Sequence, residues 1–319
     1  MSPRRILITG GAGFIGTHLA EALCDDSELV LFDNFRRDSL SSLPTLSSHP
    51  HVTVMPGNVM DPGSLSRAFE GVDTVIHLAA IAGVSSYYAE PLNTLQVNIL
   101  GTVNVLEEAA RRGIGQLVHF STSEVFGPNA MWVEEDSPHG IGPVSDSRWV
   151  YATSKLAGEH FCLRYAEKFG FPCTVIRPFN VYGPRQVGEG AISNFCRAVA
   201  ARQPLMVYGD GAAIRAWCYI SDLVAAVKAV LSTPVEGNQV FNIGNPKEVE
   251  TTLGLARRFL RLAPGATIQY RAVPRQEVRA RIPVIDKARR LLGFEPKVDL
   301  DMGISLTLKW FEAQEGQQP

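Results

Sequence analysis

Short apolar runs alternate with longer mixed stretches through the first half of the chain. Unbroken hydrophobic segments within 6–8, 29–32, 52–55, 73–80, 116–120 and 173–176 predict strands of the kind a parallel sheet buries on both faces. Between them, 18–24, 91–112 and 149–168 predict helices. This alternation predicts an α/β fold built on a doubly wound parallel sheet. Past residue 180 the pattern loosens into a helix over 192–201, a strand over 205–208 and a helix after Asp222. A late strand over 239–244 would rejoin the first sheet.

The loop after the first strand is Gly10-Gly-Ala-Gly13-Phe14-Ile15-Gly16, and the second strand closes on Asp33. In a strand–Gly loop–helix–strand–acid unit, the glycines allow a tight turn and bring backbone close to a pyrophosphate at a helix N-terminus. Asp33 can accept hydrogen bonds from an adenosine ribose and would repel a 2′-phosphate. That favours NAD over NADP, although Arg36 and Arg37 follow closely. Ligands of such sheets sit beyond the carboxyl ends of the strands. Ala79-Ala80, Ser121-Thr122-Ser123-Glu124 and Arg177-Pro178-Phe179-Asn180 all fall there.

The helix over 149–168 carries Tyr151-Ala-Thr-Ser-Lys155. Residues four apart share a helix face, and a lysine cation beside a tyrosine favours the phenolate. A tyrosine tuned in this way can take a proton from a hydroxyl while a hydride leaves the same carbon. His77 lies within an apolar strand and is expected to be a satisfied core histidine. Phe161, Leu163 and Tyr165 need another surface. A homodimer interface shared with the helix over 91–112 and packing within the chain both provide one.

Composition narrows the class. The 319 residues are 45% hydrophobic and 19% charged, enough for a sizeable core, and the net charge of −2 argues against nucleic acid or an acidic membrane as partner. Five scattered cysteines (Cys24, Cys162, Cys173, Cys196, Cys218) without a C-x-x-C pair read as buried thiols in a reducing compartment. No apolar run is long enough to span a bilayer, and Arg4-Arg5 leads straight into a strand without a signal-peptide layout. A cytoplasmic location is expected, and no metal site.

Taken together, Thr9-Gly-Gly-Ala-Gly-Phe-Ile-Gly16, His77-Leu78-Ala-Ala80, Val97-Asn98 with Gly101-Thr102, Ser121-Thr-Ser-Glu-Val-Phe-Gly127, Tyr151 with Lys155, Arg177-Pro-Phe-Asn-Val-Tyr-Gly-Pro184 and Leu292-Gly-Phe-Glu-Pro296 resemble the extended short-chain dehydrogenase/reductase family that modifies nucleotide sugars. The resemblance spans nearly the whole chain. It implies a Rossmann NAD-binding domain over 1–178, with 214–244 returning to it, and a smaller C-terminal substrate-binding part over 179–319.

It also implies tightly held NAD, with Gly10, Gly13, Phe14, Ile15, Gly16, Asp33, Asn34, Asn58, Val59, Leu78, Ala79, Ala80, Asn98, Ser121, Tyr151, Lys155 and Pro178 around it. Asn58 stands where the family usually has an acid near the adenine, and an amide can still bond the adenine amino group. Thr122 matches the hydroxyl that works with the tyrosine and lysine. Tyr151 would take the proton of the sugar 4-hydroxyl, giving an enzyme-bound 4-keto sugar. Gly83, Ser85, Asn180, Arg185, Arg215 and Arg279 match substrate positions, the last two and Asn180 at the diphosphate.

Family members diverge at the ketone. A 4-epimerase returns hydride to the other face, a 4,6-dehydratase removes the C5 proton and expels the C6 hydroxyl, and a decarboxylase releases carbon dioxide from a β-keto acid. Thr122-Ser123-Glu124 resembles decarboxylases and GDP-mannose dehydratases, whereas many 4-epimerases lack the acid. Arg185 and Arg281 stand where decarboxylases carry arginines, the second near the sugar C6, although Val284 replaces the acid that usually follows. An arginine fork suits a carboxylate. The expected function is therefore an NAD-dependent nucleotide-sugar enzyme leaning to NDP-glucuronate decarboxylation. Epimerisation and then dehydration are the alternatives, and a non-catalytic NAD-binding sensor is the alternative outside catalysis. The polar tail over 312–319 is expected to fray.

Overall fold

The computed structural model describes residues 4–234, 236–273 and 278–315. Its strands are β1 (Arg4–Thr9), β2 (Ser27–Asp33), β3 (Val52–Pro56), β4 (Thr74–His77), β5 (Gln116–Phe120), β6 (Asn129–Val133), β7 (Cys173–Pro178), β8 (Val181–Tyr182), β9 (Leu205–Tyr208), β10 (Ile214–Ala216), β11 (Cys218–Tyr219), β12 (Gln239–Ile243), β13 (Val249–Thr251), β14 (Ile268–Arg271) and β15 (Ala280–Pro283). Its α-helices are α1 (Phe14–Leu23), α2 (Pro44–Ser47), α3 (Pro62–Ala68), α4 (Val84–Ala89), α5 (Pro91–Leu95), α6 (Gly101–Arg112), α7 (Val150–Phe169), α8 (Ala191–Ala200), α9 (Ile220–Ser232), α10 (Thr252–Leu262), α11 (Asp286–Leu292) and α12 (Leu300–Glu315).

The chain forms two units. The first gathers 1–125, 141–177 and 230–241. Its sheet has the order β12-β7-β5-β4-β1-β2-β3, and the pairs from β7 through β3 are parallel. The order reverses between β1 and β4, the switch point of a doubly wound sheet, which is where such sheets bind ligands. Leu7, Val30, Val75, Leu117 and Val175 are buried in the core on one face, against Val105, Leu106 and Ala109 of α6 and Cys162 and Ala166 of α7. All five cysteines are buried and unbridged.

Helix α1 begins at Phe14, so the glycine loop is shorter than the pattern predicts. The long helix over 91–112 is interrupted by a π turn at Gln96–Leu100. Such a turn carries one extra residue and often marks a functional position.

The second unit gathers 126–140, 178–229 and 242–319. Its main sheet runs β13-β10-β15-β6, assembled from segments far apart in sequence. β15 lies parallel to both β10 and β6, and β13 is antiparallel to β10. Two ribbons, β8 with β11 and β9 with β14, complete its strands. Tyr182 packs where a side chain at Gly303 of α12 would collide with its ring.

The stretch returning to the first unit is 230–241, whereas 214–244 was expected. The reason is strand pairing: β10 is held by β13 and β15, and β11 by β8, so 214–219 stays with the second unit. β6 leaves the first unit for the same reason, through its pairing with β15. Helix α12 continues to Glu315, into the tail expected to fray, and 316–319 lie outside the described residues.

Candidate active site

The glycine loop is tightly built. Gly10 has φ +73°, and a side chain there would come within 2.8 Å of the Ala79 backbone nitrogen. A side chain at Gly16 would come within 2.5 Å of the Gly10 carbonyl oxygen. Gly13 caps α1 without a side-chain bond, which leaves first-turn N–H groups for a bound phosphate. Asp33 accepts from the backbone N–H of Ala12 at 3.0 Å and of Phe35 at 2.7 Å, tying the second strand end to the loop. Burial pushes the Asp33 carboxyl up, against the lowering effect of those N–H donors. Arg36 pairs with Glu90 at 2.5 Å, and Arg37 donates to Ser86 at 3.2 Å, so both reach towards α4. Asn34 and Asn58 each accept from a backbone N–H two residues on. This cradle fits a dinucleotide such as NAD.

Behind it lies a set of buried polar partners. Thr102 donates to the Asn98 carbonyl at 2.7 Å, so it accepts from His77 Nε2 at 3.0 Å. Nδ1 of His77 is then the acceptor for Thr9 at 2.7 Å, and the expected satisfied core histidine is present. Burial, followed by the nearby Lys155 charge, pushes His77 down to about 3. Asn98, expected at the cofactor, is buried at the π turn. Its amide accepts from Ile81 N–H at 2.7 Å and donates to Ile81 O and Ser154 Oγ at 3.0 Å each. It therefore braces the segment after β4, which includes Leu78, Ala79 and Ala80, against α7. Gly83 caps α4 with φ +97°, next to Ser85 in its first turn.

Tyr151 and Lys155 sit on successive turns at the start of α7. Lys155 is buried and donates to the Phe120 carbonyl at 2.6 Å, at the carboxyl end of β5. Burial pushes its ammonium down to about 8. One turn on, Glu159 and Arg177 form a buried ion pair at 2.6 Å. Ser121, another expected cofactor residue, donates to Glu159. Thr122 and Ser123 are buried just beyond it, and Thr122 Oγ1 accepts from Glu124 N–H at 3.2 Å.

Glu124 has a partner that sequence reasoning did not single out. Its carboxylate pairs with Arg148 at 2.6 Å, and both side chains are largely buried. Arg148 lies 5.4 Å from the centroids of both the Tyr87 and Trp149 rings. Tyr87 in turn stacks on Tyr151, with centroids 5.9 Å apart and planes 10° apart. The available signal was position: Arg148 stands three residues before Tyr151, a spacing that places both on one side of a helical turn.

The second unit holds the remaining candidates. Pro178 ends β7, and Asn180 has φ +41° and donates to the Ala216 carbonyl at 3.0 Å. Arg185 occupies the following loop with φ +66°. Arg281 is buried in β15 in direct register with Arg215 of β10. Arg279 lies two residues before Arg281 and is exposed. The parallel register places Arg215 and Arg281 on one sheet face, and Arg279 lies just before the start of β15.

The model of the family described as "NAD dependent epimerase/dehydratase family" matches residues 6–244. The UDP-N-acetyl-alpha-D-glucosaminuronate decarboxylase of Bacillus cytotoxicus is 34% identical, over 97% of this chain and 98% of that protein. UDP-glucuronic acid decarboxylase 1 of Xenopus tropicalis is 34% identical, over 98% of this chain and 73% of that protein. The crystal structure of UDP-glucuronic acid 4-epimerase from Bacillus cereus, in complex with UDP-glucuronic acid and NAD, superposes with a TM-score of 0.89 at 29% identity, over 97% of this chain and 99% of that one. The chain is therefore an enzyme of the NAD-dependent epimerase/dehydratase family, with its Rossmann-type sheet and its requirement for NAD.

Proposed function

We propose that the enzyme decarboxylates a nucleotide-linked uronic acid after oxidation at C4. The observation that carries this reading is the set of arginines in the second unit, where Arg215 and Arg281 share a sheet face and Arg279 lies just before β15. Three like charges gathered in this way suit a strongly anionic ligand, and a sugar nucleotide bearing a carboxylate has both a diphosphate and a C6 carboxylate to offer. Buried Arg281 is the candidate for the carboxylate. Arg215, Arg279, Arg185 and Asn180 are the candidates for the diphosphate side. The decarboxylases at 34% identity support decarboxylation as the reaction.

In this reading Tyr151 accepts the 4-hydroxyl proton, Thr122 hydrogen-bonds the same oxygen, and Lys155 supplies the cation that favours the phenolate. NAD, when bound, supplies the acceptor for the C4 hydride and the store from which it is returned. The C4 ketone makes the C6 carboxylate a β-keto acid. The C5–C6 bond then breaks, carbon dioxide leaves, and its electron pair is received at the C4 oxygen, where Tyr151 and Thr122 hold the developing charge. Glu124 and Ser123 are the candidates for managing the proton at C5.

The test is separate incubation with UDP-glucuronate, UDP-glucose and dTDP-glucose, followed by product mass. Loss of carbon dioxide from the uronate is the expected outcome. An unchanged mass with an inverted C4 would instead establish a uronate 4-epimerase, a reading favoured by the likeness to the Bacillus cereus enzyme.

Two further assignments belong to the proposal. Leu163 and Tyr165 pack on the core of the first unit, whereas Leu92, Leu100, Phe161 and Phe169 are exposed. Exposed apolar side chains on α5, the π turn and α7 suit pairing with a second copy, and light scattering would read a dimer mass. Five buried, unbridged cysteines suit the cytoplasm. No helix among the described residues is long and apolar enough to cross a membrane.

A further inference from the structure

We propose that Arg148 is a positioning residue for the reaction, fixing the carboxylate of Glu124 and supporting the ring of Tyr151 through Tyr87. The inference rests on the reading of Glu124 and Tyr151 as catalytic groups. Three contacts within the first unit carry it: the 2.6 Å ion pair to Glu124, the 5.4 Å approach to the Tyr87 ring, and the parallel stacking of Tyr87 on Tyr151. One guanidinium is thus linked to both candidates.

The surroundings suit a fixed group. Tyr87 is 1% exposed, so its ring has little room to move. Arg148 N–H donates to Asp146 Oδ1 at 2.9 Å, and the Tyr88 hydroxyl donates to the same oxygen at 3.0 Å. That pins the turn entering α7 to α4. Trp149 adds a second ring against the guanidinium, over Gly142, where any side chain would collide with the indole. Burial opposes the Arg148 charge, and the Glu124 carboxylate more than compensates, with smaller contributions from Tyr87 and Tyr88, so the guanidinium is held above the ordinary arginine range.

A carboxylate paired this way is held in one direction. Glu124 then acts as a base or as a local negative charge, and hands on a proton only after first receiving one. Without Arg148 it would gain rotamers and protonate more easily. Lysine would restore the charge but not the planar fork or the ring contacts.

The experiment compares wild type with Arg148→Gln, Arg148→Lys, Glu124→Gln and the Arg148→Gln/Glu124→Gln double variant. It reads kcat, KM, the acid limb of the kcat–pH profile, bound NAD and Tm on the full chain with its converted donor. Arg148→Gln is expected to lower kcat about 100-fold with KM nearly unchanged, the scale of a displaced catalytic group. It should also move the acid limb to higher pH while NAD stays bound. Arg148→Lys is expected to recover about a tenth of wild-type kcat. The double variant should be slower than Glu124→Gln alone by much less than the loss Arg148→Gln causes in wild type, because the part of its role that runs through Glu124 is already gone and only the support of Tyr151 through Tyr87 remains to be lost.

A loss confined to KM or Tm, an unmoved acid limb, or fully additive losses in the double variant would overturn the proposal. If Arg148→Gln does not fold, the acid limb of Arg148→Lys decides. If Glu124→Gln keeps full turnover, Glu124 is not a catalytic group and the inference falls with that assignment. Full turnover in Tyr151→Phe would separately remove the reading of the site.

Discussion

The candidate residues of the two units carry their charges in different settings. In the first, two buried carboxylates of the candidate site have an arginine of the same unit beside them: Glu124 with Arg148, and Glu159 with Arg177, both at 2.6 Å. Lys155 donates to a backbone carbonyl, and the core histidine lies between two threonines. In the second unit, Arg215 and Arg281 are neighbours in register on one sheet face, with Arg279 just before β15. Like charges in adjacent strands repel, and Glu250 of β13, in register with Arg215 on its other side, offsets part of that repulsion. On the proposed function, the first unit supplies the groups for chemistry and the second the groups for an anion. Breaking a group in the first unit should cost rate, whereas breaking one in the second should cost discrimination.

The largest expected effect is in the first unit. Tyr151→Phe keeps the ring, and with it the stacking on Tyr87, but removes the proton acceptor. Turnover should fall about 1000-fold or more, in the range of lost acid–base catalysis, while NAD stays bound. Stopped-time product assays with an absorbance check for bound nucleotide measure both. Wild-type turnover would sink the mechanism.

Arg281→Ala should come next, with kcat/KM for a nucleotide-linked uronate falling about 100-fold, consistent with losing a buried charge-assisted contact. A neutral nucleotide hexose, if turned over at all, should lose little. An equal loss on both donors would mean that Arg281 supports the fold of β15 and does not recognise a carboxylate.

Stability should show the first unit's internal balance as a pH slope. His77 is held neutral, its folded value pushed from 6.5 down to about 3. The unfolded chain therefore takes the proton first as pH falls, and stability present above 6.5 is lost progressively between 6.5 and 3. The slope from this one group approaches about 1.4 kcal/mol per pH unit. His119, also buried and pushed well down, adds to it in the same direction. Lys155 acts in a different window: its folded value is near 8 against an ordinary 10.5, so stability falls as pH drops from 10.5 to 8 and is flat below. Urea unfolding at pH 7, 6 and 5 should give steadily falling stability, and a flat profile would show that both histidines carry protons in the folded enzyme.

The contrast also explains what was legible in the sequence. The first sheet announces itself because buried parallel strands are unbroken apolar runs, each ending where a ligand loop begins. The glycine loop and Asp33 stand out by their strand–loop–helix–strand setting, and Tyr151 and Lys155 by their spacing together with the motifs around them. The second sheet could not be read in this way, because β10 and β15 are three and four residues long and carry arginines, and β15 joins β6 across nearly half of the chain. That pairing, which joins 214–216 to 249–251 and 280–281, leaves no local pattern in the sequence. Asn98 was visible as a motif residue, but its bonds to Ile81 and Ser154 are made at a π turn inside a stretch that predicts one continuous helix. Arg148 looked like any surface arginine, because only the fold brings Glu124 and Tyr87 to it.

The smallest expected effect tests the second unit at its exposed end. Arg279 lies just before the strand that holds Arg281 and is open to solvent, so its attraction for a diphosphate is screened by salt. Arg279→Ala should raise KM about threefold at low ionic strength, leave kcat unchanged, and bring its KM close to that of wild type near 0.5 M salt, where the screening length is only a few ångströms. Arg281, being buried, should show almost no such convergence. KM measured across a salt series for both variants separates a long-range attraction at the rim from a desolvated contact within the sheet. If the two variants respond to salt alike, the three arginines do not divide the anion between them by depth, and the second unit recognises its ligand by a single pooled charge.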